Sequence, residues 1–225
     1  MSEVNLVSMS KPSAYTGCST AEELVGWCAR VSNPANQQKY KTASKLIRSL
    51  LRDKHWSPLE MVDVALEIKT TRDIARQILR HRSFSFQEYS QRYADPTKDL
   101  GFVTREARLQ DSKNRQASIE LGPDETRLKE EWNIMQQQTI NAAKMAFQWA
   151  IERGIAKEQA RAVLPEGCTE SVVIMKGSLR SWVHYCQLRM QWDTQKEHRI
   201  VAEQCWEILR CHFPDVIDAV ETLND

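Results

Sequence analysis

Between Val62 and Lys69 apolar and polar positions alternate: Val62, Val64, Leu66 and Ile68 against Asp63, Ala65, Glu67 and Lys69. A period of two sends successive side chains to opposite faces, so this segment is a strand with one face buried and the other wet. A strand needs partners, and the chain offers few. Residues 3–8 alternate weakly, Phe102-Val103-Thr104 is strand-like, and Thr169–Met175, with Val172, Val173 and Ile174 in succession, reads as a buried strand.

The longer segments carry the helical period instead. Thr20 is placed as an N-cap, with Glu23 completing a capping box before Leu24, Val25, Trp27 and Cys28, and Asn33-Pro34 ends that helix. Leu46, Ile47, Leu50 and Leu51 predict a second helix from about Gln38 to Asp53. His55–Glu60 is a turn into the strand, after which Thr70 or Thr71 caps a short helix through Ile74, Ile78 and Leu79. Arg76 and Gln77 lie four and three residues before Arg80, which predicts that all three point to one side and that Arg80 opens a loop. Gly122-Pro123-Asp124-Glu125 opens the longest helix, whose stripe of Leu128, Trp132, Met135, Thr139, Ala142, Ala146 and Trp149 is read as packing, in the core or against a subunit. Helices are also expected over Lys157–Val163, Ser178–Gln191 and Thr194–His212. The tally is a helix-rich α+β fold with a small sheet, read as a single domain over residues 1–225.

Bulk composition narrows the function. The 225 residues hold 31 Lys and Arg against 30 Asp and Glu, a net charge of +1, so a general nucleic-acid surface is not expected and any anion site must be local. No apolar run reaches the ~18 residues of a membrane span, and the first residues lack a signal organisation, so a cytoplasmic protein is expected. The six cysteines form no CxxC pair and are expected to be reduced, with no zinc site.

Chemistry concentrates in Arg80–Tyr93. Fourteen residues hold three arginines, a histidine, a carboxylate, three serines and four aromatic rings. Guanidinium forks fit phosphate and carboxylate oxygens two at a time, and the hydroxyls and rings add hydrogen bonds and stacking surface, which suits a nucleotide-sized anion. A solvated basic face is the alternative on composition alone. Two further places gather functional groups: His55, Ser57 and Glu60 in the turn before the strand, and the cations Arg161, Arg180 and Arg189. Singly, each has a structural alternative, such as Arg161 pairing with Glu158.

Arg80-His81-Arg82, seven residues, then Ser90, with Glu88 two before it and Arg92 two after, closely resembles the signature of the flavin-dependent thymidylate synthases. His55-x-Ser57-x-x-Glu60 resembles that family's first block, and Ala160-Arg161-x-x-Leu164-Pro165, Arg180-Ser181-Trp182 and Leu188-Arg189 its third. The resemblance spans about residues 50–205. It implies a small central antiparallel sheet, FAD as cofactor, NADPH and 5,10-methylenetetrahydrofolate as co-substrates, dUMP as substrate and a homotetramer with shared active sites. It also implies that Ser57, Arg80, His81, Arg82, Glu88, Ser178, Leu179, Arg180 and His184 hold FAD, and that Gln77, Arg80, Glu88, Tyr89, Ser90, Gln91, Arg92, Arg161 and Arg189 hold dUMP. By the same resemblance Arg189 is the expected catalytic group, its charge held against the uracil so that C5 becomes the better nucleophile. Ser90 is a weak nucleophile with no base beside it but Glu88, and is read as a binding residue.

Three departures from the family pattern stand out: Gln87 in place of Asn, Met61 in place of a frequent His, and Ser178 in place of Asn. With one extra residue between Pro165 and Arg189, they leave the register at Gly177–Leu179 open. Two rivals come from other classes. One is a nucleotide- or RNA-binding module without turnover. The other is a metal-dependent nucleotide hydrolase using Glu60 or Glu88, for which the chain lacks clustered acidic ligands.

Overall fold

The computed structural model describes residues 2–223. In chain order it contains β1 (Glu3–Met9), α1 (Ala21–Ala29), α2 (Ala43–Arg52), β2 (Asp63–Thr71), α3 (Arg72–Ile78), β3 (Ser85–Glu88), α4 (Pro96–Asp99), β4 (Arg108–Gln110), β5 (Ser118–Glu120), α5 (Thr126–Glu152), α6 (Lys157–Ala160), β6 (Glu170–Ser178), α7 (Leu179–Arg189), α8 (Lys196–His212) and α9 (Pro214–Thr222). The expected α+β fold with a small antiparallel sheet is the one observed: four strands in the order β1-β2-β6-β3, every neighbouring pair antiparallel.

The alternating segment becomes the strand that organises the rest. β2 pairs with β6 over nine residues, from Asp63 opposite Ser178 to Thr71 opposite Glu170, while β1 lies along its other edge. Val64, Leu66 and Ile68 are fully buried, and with Val173 and Met175 of β6 they meet Trp182, Val183, Val201 and Cys205 of α7 and α8 in the main core. Ile174 and Lys176, on the opposite face of β6, are exposed. The apolar run in β6 therefore does not mean burial on both faces. An antiparallel sheet of this kind buries one face, and β6 keeps the alternation that β2 shows.

Side-chain caps start α1, α4 and α7, whereas Thr71 precedes α3 without a cap bond, its hydroxyl bonding the Asp73 side chain instead. The Thr20 side chain accepts from the Glu23 amide, 3.1 Å away, while the Glu23 carboxylate accepts from the Ser19 amide, one residue outside the reciprocal bond of a standard capping box. α2 begins at Ala43, later than expected, because a 3₁₀ turn takes up Tyr40–Thr42. Five elements lacked a clear sequence signal: β3, β4, β5, α4 and α9. Phe102 forms only a single bridge with Thr169 rather than a strand.

α5 differs most from expectation. The side chains it buries are Gln136, Ile140, Ala143, Phe147 and Ala150, and Phe147 and Ala150 pack with Ala160 and Leu164 in a second, smaller cluster. The stripe read from the sequence lies on another face, with Leu128, Trp132, Met135 and Trp149 between 42% and 53% exposed. Helical period identifies an apolar face but not its partner, and among the described residues this face is left about half exposed.

One buried carboxyl adds a pH dependence. Glu22 of α1 is 7% exposed and accepts from the Val216 amide in the first turn of α9 at 2.9 Å. Burial raises its pKa from 4.5 to about 7, partly opposed by that backbone bond and reinforced by Asp215. Because the folded value is the higher one, the unfolded chain gives up this proton first, so stability is lost as pH rises from about 4.5 to about 7. Glu22→Gln is expected to remove this loss, making the variant more stable than the parent above neutral pH by roughly 1–3 kcal/mol. Urea unfolding across this range checks it; parallel curves for the two proteins would refute it.

Candidate active site

The Arg80–Tyr93 stretch is a turn, the short strand β3 and a second turn, rather than a loop. β3 runs along β6 with Ser85 opposite Lys176 and Glu88 opposite Val173. Phe84 fixes the entry. Its ring lies across Gly177, where a Cβ would come within 2.4 Å of it, and stands edge-on to Trp182 and Tyr185 of α7 at 4.9 and 6.0 Å. Gly177 is thus required by close approach rather than by backbone angle. The packing anchors Arg80-His81-Arg82 beside α7.

At that junction Arg189, the last residue of α7, donates from Nε to His81 Nε2 at 3.0 Å. His81 is held at a pKa of about 4, first by burial and then by the charges of Arg189 and Arg80. It is therefore neutral near pH 7, with its proton on Nδ1, because Nε2 is accepting. Arg80 and Arg82 are exposed and form no ion pair among the described residues. Gln77 turns the other way from Arg76: its Nε2 donates to Gln195 Oε1 at 2.7 Å and its Oε1 faces His198 Nδ1 at 3.2 Å. Arg76 instead meets Glu88 and Glu166, so the shared side expected for Arg76, Gln77 and Arg80 does not form. One helical turn separates i from i+4 but not i from i+1, and Arg76 and Gln77 diverge accordingly.

Glu88 has both oxygens occupied. Arg72 approaches Oε1 at 3.5 Å and Arg76 approaches Oε2 at 3.2 Å, and Ser171 donates to Oε1 at 3.3 Å. Beyond β3, Tyr89 donates to Asp99 at 2.7 Å, and burial followed by that bond raises its pKa. Ser90 accepts from the Arg92 amide, and Gln91 is buried with Nε2 unpartnered. Arg92 pairs with the Glu158 carboxylate at 3.2 Å, while Arg161 donates to the Glu158 backbone carbonyl at 3.3 Å rather than pairing with its side chain.

A separate group forms where β6 meets α7. Glu60 accepts from Ser178 and from Arg180, the latter at 2.8 Å. Ser178 is also the N-cap of α7, accepting from the Ser181 amide, so the serine found in place of the family's asparagine has a clear local function. His184 sits edge-on to Trp56 at 4.5 Å, its pKa lowered by burial and Arg180 against the opposing pull of Glu60. Ser57 is exposed at the start of the 3₁₀ turn that carries Glu60. Leu179 is fully buried and its amide donates to the Val62 carbonyl, so its side chain belongs to the core.

The sequence-predicted residues thus fall into groups: His81 with Arg189, Glu88 with its two arginines, Arg92 and Arg161 around Glu158, and Ser178, Arg180 and His184 around Glu60. No hydrogen bond or ion pair among the described residues joins the Glu60 group to the Glu158 group. Two cavities, of about 330 and 550 Å³, lie elsewhere, against Thr70, Arg105 and Gln204 and against the β4–β5 hairpin, and none of these residues lines either. Sequence reasoning missed Arg72, Glu166, Ser171, Tyr185, His198, Gln195 and Glu197. The i,i+4 pair Arg72 and Arg76 was a usable signal for a carboxylate clamp; nothing local marked the others.

A fold of this kind belongs to a class with solved members. A UMP/dUMP methylase from Streptomyces cacaoi bound with 5-Br dUMP matches with a TM-score of 0.81 at 25% identity, covering 99% of this chain and 95% of that one. The family model described as thymidylate synthase complementing protein matches residues 14–215. The flavin-dependent thymidylate synthase of Synechocystis sp. is 43% identical over 221 residues, 97% of this chain and 99% of its own. A protein of Paramecium bursaria Chlorella virus 1 is 44% identical over 217 residues, 96% and 97% of the two chains. This chain belongs to the flavin-dependent thymidylate synthases.

Proposed function

We propose that this protein methylates dUMP to dTMP with the methylene of 5,10-methylenetetrahydrofolate, and that Arg189 is its catalytic residue. The observation that carries the reading is the Arg189–His81 contact: a guanidinium held by a neutral imidazole beside the Arg80-His81-Arg82 triplet. Among the described residues Arg189 bonds through its Nε–H, to His81. Its two Nη groups remain for the uracil carbonyl and N3, where positive charge favours the anionic ring and raises the nucleophilicity of C5. Ser90, Arg92 and Arg161 supply a hydroxyl and two guanidinium forks for the phosphate. Gln77, Arg80, Glu88, Tyr89 and Gln91 complete the nucleotide site, with Arg72 and Arg76 holding Glu88 in place.

The donor set fits FAD. Arg80 and Arg82 are exposed and without an ion pair among the described residues, as a pyrophosphate requires. Ser57, His81, Glu88, Ser178, Arg180 and His184 complete this set, and Leu179 serves it only by packing. When bound and reduced, FAD supplies the hydride, and NADPH restores it.

The reading includes a homotetramer in which different copies complete each site. Two observations support it: the groups around Glu60 and Glu158 are not connected within one chain, and α5 exposes an apolar face. No helix among the described residues is long and apolar enough to cross a membrane, and a cytoplasmic, single-domain protein is proposed. Incubation with FAD, NADPH, methylenetetrahydrofolate and 5-tritiated dUMP should release tritium, and the purified protein should retain flavin absorbance. Flavin-free protein that binds dUMP without releasing tritium would refute the reading in favour of a binding module.

A further inference from the structure

Behind the nucleotide site runs a chain of hydrogen bonds whose direction is fixed from one end. Glu197 in the first turn of α8 receives Arg108 on one oxygen and Gln195 Nε2 on the other, the second at 3.0 Å. Burial is the largest single influence on this carboxyl and raises its pKa, but the bonds from Arg108, the Glu197 amide and Gln195, with the Arg108 charge, together bring the net shift downward. It is therefore an ionised group that can only accept. Gln195 must turn its NH2 toward Glu197, which leaves its Oε1 facing Gln77. Gln77 must then donate from Nε2, as the 2.7 Å contact shows, and its Oε1 faces His198 Nδ1 at 3.2 Å. His198 is fully buried and neutral, its pKa lowered to about 3 first by burial and then by Arg189 and His81. With a single N–H, it must place that proton on Nδ1 to satisfy Gln77. Its Nε2 then accepts from the Tyr185 hydroxyl at 3.1 Å. Every group has a partner in this arrangement. Flipping either amide would set its carbonyl against another acceptor, Glu197 or Gln195.

We infer that His198 is a positioning residue for nucleotide binding: with Gln195 and Glu197 it locks the Gln77 amide so that the donor left over for the site is the second N–H of Nε2. Gln77 then recognises an oxygen acceptor on the pyrimidine nucleotide and cannot present its carbonyl to a donor there. A free glutamine samples both orientations, and fixing one removes that cost from binding. This inference rests on the proposed role of Gln77 in holding dUMP.

The test is a double-mutant cycle on KM for dUMP and kcat with the FAD-loaded enzyme. Gln77→Ala should raise KM about tenfold, the loss of roughly 1.4 kcal/mol. His198→Leu should raise KM by a similar factor with kcat changed far less, and in the Gln77→Ala background it should add nothing further. Multiplying effects in the double mutant would overturn the inference, since His198 would then act through packing alone. An unchanged KM in Gln77→Ala would instead overturn the nucleotide role of Gln77. If His198→Leu does not fold, Glu197→Gln takes its place. An amide can donate or accept, so this variant releases the polarity while keeping the shape, and it should raise KM in the parent but not in Gln77→Ala. Equal effects in both backgrounds would again refute the lock.

Discussion

Arg189→Ala is expected to lower dTMP formation by roughly 10²–10³-fold while FAD stays bound, the loss seen when a preorganised charge at a developing anion is removed. Two features of the site set this size. Arg189 terminates α7, and its side chain is fixed through Nε to His81, so it is positioned before any ligand arrives. His81 stays neutral because burial and two guanidiniums oppose a proton, which leaves Nε2 able to accept that bond at neutral pH. Arg189→Lys should recover little, since an ammonium lacks the fork that reaches His81 and the uracil together. Removing Arg189 should also raise the His81 pKa only part of the way to its ordinary value, because burial is the larger cause of its depression. Tritium release under saturating substrates, with flavin absorbance as the control for cofactor retention, measures the first effect. Turnover within tenfold of the parent would remove Arg189 from the catalytic role.

Trp182→Ala is expected to cost roughly 3–5 kcal/mol of stability, a large share of the ~5–15 kcal/mol that holds a domain of this kind together. Trp182 is fully buried, its Nε1–H donates to the Val64 carbonyl at 2.9 Å, and its ring meets Phe84 and Tyr185 edge-on. It therefore joins β2, the turn after Arg80 and α7 in one contact. Trp182→Phe keeps most of the volume but leaves the carbonyl without that donor, so about 1–3 kcal/mol is expected. The midpoint of urea unfolding distinguishes the two variants, and an alanine variant within about 1 kcal/mol of the parent would contradict this assignment. Flavin retention should fall with stability in the alanine variant, because Phe84 loses the surface that holds Arg80-His81-Arg82 beside α7.

The legible part of the site was the part written in short spacing. Arg80, His81, Arg82, Glu88 and Ser90 lie within one stretch, and their spacing rather than their residue types set an anion site above a solvated basic face. Sequence also located Arg161, Arg180 and Arg189, but not what each would meet. Arg161 bonds a backbone carbonyl where an ion pair was the local alternative, and Glu88 is held by Arg72 and Arg76 from α3. Tyr185 and His198 were invisible as a pair. Each sits on an inward helical face, where periodicity marks burial and gives no sign of a hydrogen bond between helices.

Sequence by itself determined the strand over Val62–Lys69, the Thr20 cap, most of the helices and the family signature, because each depends on residues within a turn or two of one another. Tertiary structure decided which face of β6 is buried, which row of α5 meets the core, and which way the Gln77 amide points. Those outcomes depend on partners as distant as Gln195 and His198, more than a hundred residues further along the chain. No local period encodes such a partner, since burial and hydrogen-bond direction are properties of the assembled neighbours.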